Sequence, residues 1–241
     1  MNSNLTIVAI LLGASLFFNV AMNYMGDNIA DFENRPLPPK KLKKISTNNP
    51  LIKVDAKSRD AWTLVDFSSR KTHKVEDLEN NLDKLADLDW DLGFQRTKVI
   101  TNSGETHKAG GVGVMDLGPV KIDEIKKITP GPFVEDTRQW GSLRNEAISS
   151  WYNYRTRTHN IESKKSVYLV RTAEKGHMKM RILNYYCNHN ESECATGMCT
   201  REEAACLTVE YVYVPPEETE FPDPVNVSKN LADPAVQVSI N

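Results

Sequence analysis

Residues 88–104 read LDWDLGFQRTKVITNSG, and the glycine-rich stretch GGVGV follows at residues 110–114. The first stretch combines a Trp-Asp pair with residues typical of β-strands, and it ends in an Asn-Ser-Gly turn signal. The glycines of the second stretch then open another strand. Together the two stretches predict a pair of strands joined by a polar loop, which indicates a β-rich domain.

Four further stretches continue the β pattern in the second half of the chain. In order they are WYNY at 151–154, SVYLVRTA at 166–173, HMKMRILNYY at 177–186 and LTVEYVY at 207–213. The order of all these pieces resembles the signature of the HmuY-like family over roughly residues 59–214. The resemblance implies a mainly β, antiparallel domain that is exported and binds haem noncovalently.

The composition indicates one ordinary globular core. At 241 residues with 40% hydrophobic residues, the chain is long enough to bury one good-sized core. The formal net charge is −2 and the basic residues are spread along the chain, so we expect no nucleic-acid partner. The sequence carries no hydrolase, phosphate-loop or zinc-protease motif, so we also expect no enzymatic activity.

The N-terminal segment, residues 1–26, is predicted to be a transmembrane helix. Leu5 to Met25 is apolar apart from Asn19, Asn23 and small residues, and a helix of this length spans a bilayer core of about 30 Å. The alternative is a cleaved signal peptide, which should carry a basic start and a small-residue cleavage site. The chain starts with Met-Asn-Ser-Asn instead, so we favour a retained anchor.

The rest of the chain divides into three parts. Residues 27–58 are rich in proline and lysine and predict an extended tether, residues 59–216 form the predicted β domain, and residues 217–241 form an extended acidic tail. Lysines within residues 40–44 would place the domain in the cytoplasm by the positive-inside rule. The cysteines and the family resemblance argue for the periplasm or the cell surface, which we expect.

Local patterns predict three elements within the domain. Residues 61–67 roughly alternate apolar and polar side chains, as in a half-buried strand. Residues 207–213 predict the last strand, with its apolar side chains on one face. One short helix of about three turns is predicted from leucines that share one face: Leu78, Leu82, Leu85 and Leu88.

All four cysteines lie in a predicted insertion, residues 187–206. Their C-x6-C-x4-C-x6-C spacing is wider than a zinc knuckle, so disulfides in an oxidising compartment are favoured over a metal site. Four cysteines allow three connectivities. If the flanking strands pair as a hairpin, the nested choice of Cys187 with Cys206 and Cys194 with Cys199 brings the partners together most directly.

The candidate haem ligands are His159, His107 and Met115, because haem iron takes axial ligands such as histidine or methionine. The resemblance implies two histidine ligands from loops in the second half of the domain. His159 falls close to the position implied for one of them. The other has no counterpart, because residues 130–150 contain no histidine. His107 and Met115 are the substitutes that the sequence offers.

Aromatic residues are the remaining functional candidates, since they can floor a tetrapyrrole slot or anchor a protein interface. For Trp90 and Tyr185 we favour a place in the core instead. The full set is Trp90, Trp140, Trp151, Tyr152, Tyr154, Tyr185 and Tyr186.

Two functions compete on this sequence. The anchor and the missing second histidine favour an accessory, structural subunit of an integral membrane complex, for example one of photosynthetic or respiratory electron transfer. The alternative, implied by the resemblance, is a noncovalent haem-binding or tetrapyrrole-binding protein of haem uptake. The first function requires a membrane-protein partner, and the second requires haem.

Overall fold

The structure is a computed structural model, and it describes residues 11–22, 47–85, 89–196 and 199–223. Residues 11–22 are helical (α1) and belong to one compact unit, whereas the described residues from 47 onward belong to a second. Among the described residues, no helix combines the length and the apolar character needed to cross a membrane. The other parts of the predicted span, residues 5–10 and 23–25, lie outside the described residues.

The second unit is built mainly from β-strands. Two short helices are described in it, α2 (Leu82–Leu85) and α3 (Glu191–Thr196). The strands are β1 (Leu51–Asp55), β2 (Ala61–Asp66), β3 (Lys71–Glu76), β4 (Leu92–Gln95), β5 (Lys98–Thr101), β6 (Gly113–Gly118), β7 (Thr137–Gln139), β8 (Ser142–Arg144), β9 (Tyr152–Arg155), β10 (Asn160–Ser163), β11 (Val167–Arg171), β12 (His177–Tyr186) and β13 (Ala204–Val214).

Two antiparallel sheets enclose the main core. The larger sheet has the order β1-β13-β12-β11-β6, and the smaller has the order β3-β2-β4-β5. Apolar side chains of both sheets form one buried cluster, in which the ring of Phe67 meets the ring of Tyr211 at 5.1 Å between centroids. Such packing removes the apolar face of each sheet from water. The predicted mainly β, antiparallel fold is confirmed.

The leucines of the predicted helix cover the outer face of the smaller sheet, but the helix is interrupted. A 3-10 turn spans Leu78–Asn80, and α2 begins only at Leu82. Between them, the side-chain amide of Asn81 donates to the carbonyl of Asp77 at 3.0 Å, which competes with helical hydrogen bonds. Leu78 and Leu85 are fully buried as predicted, whereas Leu88 lies outside the described residues.

The outer face of the larger sheet is covered by the chain around residues 122–133 and by Phe221. Phe221 is buried, and its backbone N–H donates to the carbonyl of Lys126 at 2.7 Å. The described start of the predicted acidic tail is therefore a packed strap. The remaining tail residues, 224–241, lie outside the described residues.

The β domain starts earlier than the predicted boundary at residue 59. β1 lies inside the predicted tether and pairs with β13, with Val54 opposite Leu207. Val54 is buried, whereas its neighbours Lys53 and Asp55 are exposed. A single buried side chain on an edge strand leaves little periodic signal, so the sequence pattern does not reveal this element.

Two nested disulfides close the insertion between β12 and β13. Cys187 is bonded to Cys206, and Cys194 is bonded to Cys199. No cysteine among the described residues is free. The outer bond joins the two strands where their pairing ends, and the inner bond holds α3, in which Cys194 is buried.

Candidate functional site

Two short hairpins, β7–β8 and β9–β10, lie outside both large sheets. They follow each other in the chain and are joined by residues 145–151. Ile148 and Trp151 in this connection are buried in the main core. The indole Nε1 of Trp151 donates to the carbonyl of Thr97 at 2.9 Å. The segment that joins the two hairpins is therefore fixed to the core of the domain.

The base of hairpin β7–β8 is held by the buried carboxylate of Asp136. It accepts hydrogen bonds from the backbone N–H of Thr101 at 2.8 Å and from the hydroxyl of Thr106 at 2.6 Å. Burial raises the pKa of this carboxyl, while the hydrogen bonds oppose that shift. Asp136 thereby fixes the first strand of the hairpin to the loop that carries His107.

The tip of hairpin β7–β8 presents the side chain of Trp140. Trp140 and Gly141 have φ angles of 50° and 79°, the left-handed region that a tight hairpin turn requires. The Trp140 side chain is fully exposed, with a relative accessibility of 102%. Arg138 stabilises the turn by donating to the carbonyl of Gly141 at 3.0 Å and to Glu79 at 2.9 Å. A fully exposed indole on a braced turn is suited to contacting a ligand or partner.

Hairpin β9–β10 presents His159 and Tyr154 next to each other. His159 ends the turn with φ of 54°, and Tyr154 lies in β9 opposite Ile161. The hydroxyl of Tyr154 and Nδ1 of His159 are 2.5 Å apart, and the ring centroids are 6.0 Å apart. Tyr154 is 53% exposed. Both residues are candidates from the sequence, but their pairing was not predicted, because its only signal is the register of the hairpin.

Positive charge lies in the same turn. Arg155 is neutralised by Glu162, with 2.8 Å between its Nε and a carboxylate oxygen. Arg157 is exposed, and within the described part of the chain it forms no ion pair. A guanidinium in this position can bind the carboxylates of a ligand.

His107 lies in the glycine loop that was predicted from the opening stretch. Its Nδ1 is 2.6 Å from Oδ1 of Asn102, whose amide nitrogen donates to the carbonyl of Trp90 at 3.0 Å. Because Oδ1 of Asn102 can only accept, Nδ1 of His107 is the donor and Nε2 keeps its lone pair. Gly110 is required here, since a Cβ would lie 2.0 Å from the Asn102 carbonyl.

Met115 lies on the outer face of the larger sheet, in the cluster under the strap. It is half-buried, and a Cβ on Gly131 would lie 2.5 Å from its sulfur, so the thioether packs against that glycine. Across the described residues, no hydrogen bond or ring contact joins Met115, His107 and His159 to one another. The structure places the three candidate ligands on separate elements: Met115 in β6, His107 in the loop before β6 and His159 in the turn of β9–β10.

The aromatic candidates separate clearly by burial. The core positions expected for Trp90 and Tyr185 are confirmed, since both are buried, and Tyr152 is half-buried against Trp151. In the described β domain, the exposed large aromatic side chains are Trp140 and Tyr154. Both lie on the two hairpins, which makes these hairpins the candidate site.

The histidines His177 and His189 lie outside the two hairpins and contact other residues. Burial and the nearby Arg171 lower the pKa of His177, whose ring packs near Phe133 at 6.1 Å. Glu203, at 2.7 Å, raises the pKa of the half-buried His189. Among the described residues, no group of three or more His, Cys, Asp or Glu side chains is arranged to hold a metal ion.

Comparison with known proteins agrees with this fold. The model of the HmuY family, described as HmuY protein, matches residues 58–197. The comparison with curated proteins gives no match. Among solved structures, the apo HmuY analog of Tannerella forsythia has a TM-score of 0.53 at 13% identity and covers 71% of this chain and 98% of its own. Apo PinO from Porphyromonas gingivitis has a TM-score of 0.51 at 14% identity, with coverages of 70% and 98%.

At such low identities the two solved structures show the fold alone. The family model is the stronger finding, because the residues that it matches make up more than half of the chain. They include both hairpins and most of the two sheets. This chain belongs to the HmuY family.

Proposed function

We propose that this chain binds haem or a related tetrapyrrole noncovalently at the ends of hairpins β7–β8 and β9–β10. One observation carries the proposal. The exposed large aromatics of the described β domain, Trp140 and Tyr154, and the candidate ligand His159 all lie on these two hairpins of a HmuY-family domain.

The residues of the hairpins fit the chemistry of haem. A planar macrocycle needs apolar contacts, which the rings of Trp140 and Tyr154 supply. Its carboxylates need a cation, which Arg157 supplies. When bound, haem would provide an iron that takes axial oxygen or nitrogen donors, and the hydrogen-bonded Tyr154–His159 pair places a donor of this kind at hairpin β9–β10. His107, with a free Nε2 in the loop fixed to β7–β8, is a further donor.

The family match and the exposed hairpins favour this function over the accessory-subunit interpretation. The findings on the described residues give no support to a partner in an electron-transfer complex. The two disulfides support a location outside the cytoplasm, where thiols are oxidised. A role in binding rather than catalysis agrees with the lack of catalytic motifs. The anchor at residues 1–26 stays a prediction.

Titration of the full-length protein with haemin tests the proposal. We expect saturable binding of one haemin per chain, seen as a sharpened and shifted Soret band. Replacing Trp140 with Ala should weaken the affinity about tenfold, because one apolar contact of roughly 1.4 kcal/mol is lost. Gln139→Ala, on the neighbouring exposed position, is the matched control and should bind as the wild type does.

Two results would contradict the proposal. Haemin uptake that never saturates, with no change in the absorption spectrum, would reject the proposed haem-binding function. Saturable binding that is the same in Trp140→Ala and in the control would place the site elsewhere in the domain.

A further inference from the structure

The pairing of Tyr154 with His159 restricts which atom of the hairpin can bind iron. Their contact, 2.5 Å between the phenol oxygen and Nδ1, uses one nitrogen of the imidazole. An imidazole nitrogen is a much stronger base than the oxygen of a neutral phenol. The hydrogen bond therefore runs from the Tyr154 hydroxyl to Nδ1 of His159.

This direction of the hydrogen bond determines the tautomer of His159. When Nδ1 accepts, the neutral ring carries its own proton on Nε2. Neither nitrogen then has a lone pair to offer to a metal. The oxygen of Tyr154, by contrast, keeps its lone pairs, and the residue that carries it is 53% exposed.

We propose, building on the haem-binding function above, that Tyr154 is the residue that coordinates the iron and that His159 positions it. Tyrosine is an established type of axial ligand to haem iron. Coordination forms a bond from the phenolate oxygen to ferric iron and breaks the phenol O–H bond. The proton passes along the existing hydrogen bond to Nδ1, and no electron is transferred.

The other tyrosines of the described β domain cannot take this role. Tyr152 is half-buried and its ring packs against Trp151 at 5.1 Å. Tyr186 is buried, and its hydroxyl oxygen accepts the backbone N–H of Ile161 at 2.9 Å. Tyr185 is also buried in the core. Tyr168 and Tyr211 are buried as well, and Tyr213, whose hydroxyl donates to Glu174 at 3.2 Å, is only half-exposed. Among the tyrosines of the described β domain, Tyr154 is the one that is exposed and also contacts a proton acceptor.

The backbone of the turn supports a positioning role for His159. Its φ of 54° lies in the left-handed region, which is costly for most side chains but is adopted more readily by His, Asn and Asp. Asparagine at this position keeps the backbone conformation and places an acceptor oxygen where Nδ1 lies. It lacks any atom equivalent to Nε2, so His159→Asn separates positioning from coordination.

The ligand is also expected to make binding depend on the oxidation state of the iron. A phenolate is a hard, anionic oxygen donor, which prefers ferric over ferrous iron. Reduction of the complex should therefore weaken the bond that Tyr154 makes. A histidine ligand, which suits both states, would not produce this difference.

The experiment uses the full-length protein, haemin as the probe, and four variants: Tyr154→Phe, His159→Asn, His159→Ala and the matched control Tyr152→Phe. Affinity is measured by Soret titration, and the ligand is identified by resonance Raman spectroscopy of the ferric complex. We expect phenolate vibrations in the wild type and in Tyr152→Phe. We expect them in His159→Asn as well, at an affinity within about threefold of the wild type.

Tyr154→Phe should lose the phenolate vibrations and at least tenfold in ferric affinity, and His159→Ala should keep the vibrations at a lower affinity. Dithionite should weaken binding in the wild type and have little effect in Tyr154→Phe. Haemin binding that persists unchanged in Tyr154→Phe but is lost in His159→Asn would make His159 the ligand and overturn this inference, while the haem-binding function stands. Complete absence of haemin binding in the wild type would reject both.

Discussion

The carboxylate of Asp91 joins the two sheets through the backbone N–H of Ala173, which it accepts at 2.8 Å. Its other oxygen accepts the N–H of Phe67 at 2.9 Å. Phe67 directly follows β2 of the smaller sheet, and Ala173 lies between β11 and β12 of the larger one. Asp91 is only 2% exposed, so one buried carboxylate fixes the two layers at this end of the domain.

This arrangement makes stability depend on pH. Burial raises the pKa of Asp91 from 3.8 to about 6, although both backbone hydrogen bonds oppose the shift. Since the folded state binds the proton more tightly than the unfolded chain, the free energy of unfolding falls as the pH rises from about 4 to about 6. The shift of about two pH units corresponds to a loss of at most about 3 kcal/mol.

Asp91→Asn should remove this part of the pH dependence, because an amide does not ionise. It should also cost about 1–3 kcal/mol, since its NH2 group cannot accept one of the two backbone N–H groups. Urea unfolding between pH 4 and pH 7 measures both effects. Asp89→Asn, an exposed neighbour, should behave as the wild type. An unchanged slope in Asp91→Asn would show that the carboxyl does not titrate in this range.

The sequence predicted two strands in the right place but not the full burial of the first one. The strand predicted at residues 61–67 is β2, and the last predicted strand lies within β13. The half-buried prediction for residues 61–67 was wrong, because all six residues of β2 are buried, with Val65 in the main core and Leu64 under the leucines of the predicted helix. The hydrophobic pattern did not predict elements whose formation depends on contacts with other parts of the chain. β1 buries only Val54 fully, and α2 is separated from the preceding turn by a side-chain hydrogen bond of Asn81, which the leucine spacing does not encode.

The candidate site was predicted in its residues but not in its geometry. His159 and Tyr154 were both named, yet their contact depends on which residues form the turn of β9–β10, and hairpin register is weakly specified in a polar segment. Met115 was named for its chemistry, but the strap that covers it comes from residues distant in sequence. The order of the motifs indicated the family, whereas these contacts depend on how distant parts of the chain pack together.

Truncation to alanine should affect stability much less at the exposed Trp140 than at the buried Trp151. Trp140→Ala should change the free energy of unfolding by less than about 0.5 kcal/mol, because its side chain is already in water. Trp151→Ala should cost about 3–5 kcal/mol, since it empties a core position and leaves the Thr97 carbonyl without its donor. Chemical denaturation of both variants checks this. Comparable losses would mean that Trp140 is packed in solution.

The outer disulfide should contribute more to stability than the inner one. Cys187 and Cys206 are separated by 19 residues and Cys194 and Cys199 by 5, so the outer bond restricts the unfolded chain more. Loop-closure entropy predicts about 3 kcal/mol for the outer bond and about 2 kcal/mol for the inner one. Replacing each pair with alanines and measuring unfolding without reductant tests the order. Free thiols in the oxidised wild type would contradict the pairing itself.

The strap should control the protonation of Lys179. This side chain is fully buried, donates to the carbonyl of Ile125 at 2.8 Å, and has its ammonium 5.0 Å from the centre of the Phe221 ring. Desolvation lowers its pKa to about 8, while the charge of Asp123 acts in the opposite direction. Because the unfolded chain then binds the proton more tightly, the free energy of unfolding should rise as the pH increases from about 8 to about 10.

Phe221→Ala should reduce this rise, because removal of the ring admits water to the ammonium and returns its pKa toward 10.5. The same variant should lose about 3 kcal/mol of stability at neutral pH through lost packing. Lys179→Met should abolish the rise, and Lys53→Met, on the exposed side of β1, should leave it intact. Urea unfolding at pH 7, 8, 9 and 10 distinguishes these cases. A rise that persists in Lys179→Met would assign it to another group and leave the strap without this role.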